Sequence, residues 1–236
     1  MGHTIGHISC SLPGGERYDR WTSFSGQDYS EVDNRLLFKE ARGMGALFYD
    51  FVDGHIISGE ENWKRLVHYK SRLGSPRYIQ FELNASQCRK LKDMVQFFES
   101  FHFKPGTPLA YLEMRPPGNT LYFNTMDPYE TYIRRQKGEE NPVGGGCAPY
   151  GAALIKRAGF YSPAFEKSWR WKLDVSEKLI GGPETGRRVG AGDILLSSLG
   201  GSWTHEGYSN REIWFYDPAR IWSFIGEVMS CIAAEG

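Results

Sequence analysis

Cys147 has the setting in this chain that most invites chemistry. It follows Gly144-Gly145-Gly146, and the stretch Ala148 to Ala158 (APYGAALIKRA) reads as a short helix closed by Gly159. Pro149 fits only the first turn of such a helix, so Cys147 falls at its N-terminal end. A thiol there meets free N–H groups and the positive end of the helix dipole, and both favour the thiolate. The amides of Cys147 and Ala148 are also placed to hold the oxyanion of a tetrahedral intermediate. The plainer alternative is a small buried cysteine at a tight helix start.

A thiolate nucleophile needs a histidine to form the ion pair and to protonate the leaving group. Six are present: His3, His7, His55, His68, His102 and His205. His68, beside Lys64 and Arg65, reads as a surface residue, and His102 as a helix C-cap. His55 falls in a turn after Gly54, and His205 in a polar loop with no metal spacing around it. His3 and His7 each follow a glycine at the start of an extended segment, and the two-residue period of a strand puts both on one face. There is no C-x-x-C, H-E-x-x-H, P-loop or dinucleotide fingerprint, so no metal or cofactor is expected.

The elements that must position these residues follow from local pattern. Residues 3 to 12 read as a strand, with Ile8, Cys10 and Leu12 alternating with His7, Ser9 and Ser11. Pro13-Gly14-Gly15 is a turn and 17 to 25 the returning strand. Residues 47 to 58 read as extended structure, and 78 to 83 (YIQFEL) as another strand. Asn84 and Gln87 form a capping box for a helix over 85 to 101, whose Leu91, Met94, Val95 and Phe98 recur at helical spacing. A strand pair is expected over 109–114 and 119–124, with a polar stretch at 134–142. Later come the segment Trp169 to Leu173 (WRWKL), strands at 193–197 and 212–216 and a helix over 218–233.

Composition narrows the function classes. The 236 residues carry 28 Lys+Arg against 28 Asp+Glu, a formal charge of zero. That balance argues against a polyanion binder, so no nucleic-acid partner is expected. No apolar run approaches the ~18 residues of a membrane span. The start of the chain lacks the basic and apolar regions of a signal peptide. The four cysteines (Cys10, Cys88, Cys147, Cys231) read as too few and too scattered for a disulfide framework. Trp169, Trp171, Trp203, Trp214 and Trp222 read first as core and second as the lining of a sugar or lipid groove.

The order of motifs carries a resemblance. Gly6-His7 opening a strand (GHISCSL), followed far downstream by a glycine-led cysteine opening a helix (GGGCAPYGAALIKRAG), resembles the circularly permuted papain-like cysteine hydrolases. That superfamily includes NlpC-type cell-wall endopeptidases, lecithin retinol acyltransferase-like enzymes, YiiX-like proteins and uncharacterised bacterial envelope families. The segment YIQFELNASQCRKLKDMVQFF is similar to one that precedes the cysteine in the envelope families. Where those families often have Asn before the cysteine, this chain has Gly146.

The resemblance covers roughly residues 3–160 and implies a single α+β domain over 1–236. It would have a permuted papain-like fold, an antiparallel β-barrel-like sheet packed with helices, and extra strands and a helix in 161–236. It implies Cys147 as nucleophile and His7 as base, with His3 as the alternative. Asp19, Ser23 and Gln27 on the next strand would supply a third, imidazole-orienting group. The implied function is a thiol hydrolase or acyltransferase acting on peptide or peptidoglycan amides, or on lipid esters, in the cell envelope. Two rivals stand beside it: a binding module of the same fold without catalysis, and an aromatic-groove carbohydrate-binding protein.

Overall fold

Strand β1 (Gly6–Ser11) and strand β2 (Arg17–Gly26) form an antiparallel hairpin, with Ile8 opposite Arg20 and Ser9 opposite Asp19. The turn between them uses Gly14 and Gly15 at φ 96° and 88°, a backbone region that residues with a Cβ rarely enter. Strand β3 (Val52–Ser58) pairs with β2, and the short β4 (Leu109–Tyr111) pairs with β3, so the sheet runs β1-β2-β3-β4 in chain order. The computed structural model describes residues 4–26, 52–73, 76–102, 109–111, 127–139, 146–179, 189, 191–197 and 203–235.

Helices cover both faces of this sheet, and others pack against the C-terminal part of the chain. They are α1 (Glu60–Leu73), α2 (Ala85–His102), α3 (Pro128–Gln136), α4 (Cys147–Ala158), α5 (Pro163–Trp169), α6 (Ala191–Ser197) and α7 (Pro218–Glu235). Successive strand residues point to opposite faces, and β2 shows which helix lies where. Arg20 reaches Glu99 of α2 and Thr22 hydrogen-bonds Tyr150 of α4, whereas Ser23 between Thr22 and Phe24 hydrogen-bonds Asn62 of α1. The layers are therefore α1, then the sheet, then α2 with α4.

The main core fills the α2/α4 side. Ile8, Phe24 and Ile56 from the sheet meet Leu91, Met94, Val95 and Phe98 of α2 and Tyr150, Ala153 and Leu154 of α4. Each large apolar side chain buried there contributes about 1.5–3 kcal/mol. The stripe expected on α2 is thus core. Its start carries the reciprocal capping box, with the Gln87 N–H donating to Asn84 Oδ1 at 2.9 Å and the Asn84 N–H to Gln87 Oε1 at 3.0 Å. Gln87 also donates to the carbonyl of Ala158, joining this cap to the far end of α4.

Helix α4 is buried on two sides. Tyr150, Ala153 and Leu154 face the main core, while Ala148 and Ala152 face a second cluster with Trp169, Ile221 and Ile225. Small residues on that second side let α5 and α7 approach closely. Among the described residues, strands β5 (Arg170–Ser176) and β6 (Asn210–Tyr216) pair only with each other. A chain of Tyr161, Tyr216 and Glu166 hydrogen bonds ties this part to the end of α4.

Four expectations are corrected. The architecture is α+β, but among the described residues the sheet is open, with β1 at its edge, so no barrel closes. Residues 78–83 form no strand: Phe81 stacks on Phe160 and Ile79 and Leu83 join the two cores, while the backbone has no partner strand. The polar stretch after Arg134 is preceded by helix α3, whose Asp127 accepts from the Tyr129 N–H and pairs with Lys156. Residues 193–197 belong to α6, a short apolar run of the kind whose periodicity fits either structure. The expected pair over 109–114 and 119–124 lies mostly outside the described residues.

Cysteines 10 and 88 are not separate packing residues but a disulfide, joining the inner face of β1 to α2 across 78 residues of sequence. Chain-entropy theory assigns a loop of that size about 4.5 kcal/mol of stabilisation through the unfolded state. The double variant Cys10→Ser/Cys88→Ser is expected to lose roughly that much unfolding free energy in urea titrations, and the wild type to match it once reduced. Equal midpoints with and without reductant would remove the disulfide from the fold's energetics.

Candidate functional site

Cys147 stands where its neighbours in sequence require. Gly146 is the N-cap residue of α4, with extended φ and ψ of −100° and 176°, and Gly159 closes the helix at φ 82°. The thiol is only 7 % exposed. Burial pushes its pKa above the ordinary value, while backbone hydrogen bonds from Thr4, Ala148 and Cys147 itself act the other way. Only N–H donors lower a thiol pKa in this manner, since they stabilise the thiolate. Backbone N–H groups of the helix start and of Thr4 therefore favour the thiolate, but burial outweighs them.

That segment can reach the helix because two glycines leave room. A Cβ on Gly151 would lie 2.5 Å from the Thr4 methyl, and one on Gly6 would lie 2.6 Å from a Leu154 methyl. The chain therefore lies directly on α4, with Thr4 over the turn that follows Cys147. Thr4 and Gly6 share the inner face with Ile8.

His7 points the other way. Its Nε2 is 3.1 Å from Asp19 Oδ1, and its ring stacks on Trp21 with centroids 4.0 Å apart and planes 5° from parallel. Ser9 donates to the other Asp19 oxygen at 3.0 Å. These hydrogen bonds, His7's first and Ser9's second, hold the Asp19 carboxyl below its usual pKa. Half of the expected constellation, an imidazole oriented by Asp19, is therefore present. It occupies the outer face of β1–β2, while Cys147 lies under the inner face, and His7 is three residues beyond Thr4, about 10 Å of extended chain. The structure does not bring His7 and Cys147 together.

The other candidates separate as well. Ser23 is fully buried and bound to Asn62 of α1, away from both His7 and Cys147. His3 and Gln27 lie outside the described residues. His68 is exposed on α1, and His205 packs edge-on to Tyr208. Among the described residues no His, Cys, Asp or Glu cluster could hold a metal ion, and no helix is long and apolar enough to cross a membrane. Trp169 is core at 3 % exposure, whereas Trp222 is half exposed beneath Arg77. The side chains of Trp171 and Trp214 lie outside the described residues.

Sequence reasoning missed Thr4, Trp21 and Trp63. Trp21 stacks on His7, and Trp63 of α1 is in turn inclined to Trp21 at 5.3 Å. A signal for the face was available: Ile8 and Cys10 are the apolar residues of β1, so a helix packed on them lies opposite His7. Comparison with family models, with curated proteins and with solved structures returns no match.

Two outcomes follow for the thiol. Native Cys147 should alkylate with iodoacetamide more slowly than a free thiol at neutral pH, and Gly151→Ala, by displacing Thr4, should speed it. A raised folded pKa stabilises the protein below the ordinary thiol value and is lost as pH climbs through the folded one. Wild type should therefore lose stability relative to Cys147→Ala above about pH 9, as measured by urea midpoints across pH 7 to 11. Parallel curves would show that the thiol does not sense its burial.

Proposed function

We propose that the chain is a thiol hydrolase or acyltransferase of the permuted papain-like kind, with Cys147 as nucleophile and His3 rather than His7 as its base. The observation that carries the reading is the place of Cys147 at the start of α4, where backbone N–H groups, with that of Thr4, favour the thiolate. A thiolate and the oxyanion of a tetrahedral intermediate need the same donors. His3 is the residue covalently joined to Thr4, whose own backbone meets that sulfur, whereas His7 is committed to Asp19 and Trp21 on the other face.

In this mechanism the Cys147 sulfur attacks an amide or ester carbonyl and forms a thioester. The imidazole takes the thiol proton and delivers it to the leaving amine or alcohol. Water then cleaves the thioester with the same base. Burial of the thiol sets a condition: the sulfur has to become accessible before substrate can reach it. Peptide or peptidoglycan amides are the substrates favoured by the resemblance. The Cys10–Cys88 disulfide suits the oxidising surroundings of an envelope protein.

The same burial supports a second reading, a binding module that keeps the scaffold without the reaction. The two are separated with a soluble stem-peptide amide and an activated ester as substrates. For the enzyme, Cys147→Ala and His3→Ala each lower kcat/KM by at least about a thousandfold, the loss for His3→Ala exceeds that for His7→Ala by about a hundredfold, and mass spectrometry finds the acyl group on Cys147. A larger loss for His7→Ala would overturn the choice of base. No turnover of either substrate and no acylation would leave the binding module.

A further inference from the structure

We propose that the outer face of β1, β2 and α1, centred on Trp63, binds a neutral saccharide. This surface is separate from Cys147 and does not depend on the thiol's chemistry. Trp63 is 48 % exposed and Val67, one turn further along α1, is 49 % exposed, so the helix presents an apolar strip to solvent. Trp63 leans against Trp21, and Trp21 carries the stacked ring of His7 on its face. Three flat rings thus form a stepped wall rather than three isolated side chains.

Hydrogen-bonding groups border that wall. Ser9 and Asp19 form the rung of the hairpin next to the His7–Trp21 rung. The ladder holds them in place, and Asp19 keeps acceptor capacity beyond its bonds to His7 and Ser9. Among the described residues no protein partner meets His7 Nδ1 or the indole N–H of Trp21 or Trp63. A surface that couples exposed ring faces to fixed polar groups complements a pyranose, whose axial C–H groups form an apolar face and whose hydroxyls form a rim.

Charge selects among ligands. Arg17 lies 3.7 Å from Asp19, and on α1 Lys64 pairs with Glu60 and Arg65 with Glu61. With most of these charges near an opposite one, the face offers only a modest field to a polyanion or a strongly charged peptide. A helix or hydrophobic protein surface laid here would desolvate Asp19 without a new partner, at a cost that hydroxyl groups avoid.

The test uses tetrasaccharides of β-1,4-linked glucose and of β-1,4-linked N-acetylglucosamine, titrated into the full chain and followed by tryptophan fluorescence and calorimetry. Saturable binding of either sugar is expected, weakened at least about tenfold by Trp63→Ala, partly retained by Trp63→Phe, and unchanged by Trp222→Ala, which removes an equally exposed tryptophan on α7. If Trp63→Ala does not fold, as judged by circular dichroism, His7→Ala serves in its place with the same expected loss. Absence of binding to both sugars, an equal loss in Trp222→Ala, or binding of a neutral tetrapeptide but neither sugar would overturn the proposal.

Discussion

The close approach of the N-terminal segment to helix α4 is the constraint on which the rest of the molecule depends. It exists because residues 6 and 151 have no side chain: any Cβ would collide with Leu154 or with Thr4. Given that contact, the helix lies flat under the inner face of the sheet, and Tyr150 reaches Thr22 for a buried hydrogen bond. Leu154 closes the main core, and the small residues Ala148 and Ala152 remain free for the second one. One helix thereby anchors the four-stranded sheet and the β5–β6 unit alike. Its first residue is Cys147, so the thiol is held by the same packing that holds the fold.

This position sets two physical tendencies against each other. Amides at a helix start favour a negative sulfur, and removal from water disfavours it. In the folded chain removal from water wins, and the Cys147 pKa is raised. Exposure of the sulfur would shift that balance toward the thiolate, because the opposing effect is solvation. The covering strand segment is therefore as much a part of the site's chemistry as the helix.

What could be read from sequence was local. The capping box at Asn84 and Gln87, the proline in the first turn of α4, the glycine at its end and the alternation along β1 each involve residues within a few positions, and each is realised. Asp19 is one of three candidates that the next strand offers to His7, and only the hairpin register decides among them. What could not be read depends on distant partners. Cys10 and Cys88 stand 78 positions apart, and neither strand nor helix periodicity marks them as a pair. Residues 78–83 have the alternation of a strand but lack a neighbouring strand to bond to. His7 was legible as a member of a polar pair, yet its relation to Cys147 required knowing which face of the sheet α4 covers.

The disulfide and the buried thiol together bear on how the chain survives oxidation. A free thiolate near a disulfide is the reagent that scrambles it, and exchange proceeds only as fast as the thiolate is formed and reaches a sulfur. Cys88 is fully buried, and Cys147 is both buried and held protonated. The chain can thus carry a free thiol and a structural cross-link without the first unpicking the second. Shielding of Cys147 then acts as insulation for the cross-link, and unfolding would expose both partners of that unwanted reaction together.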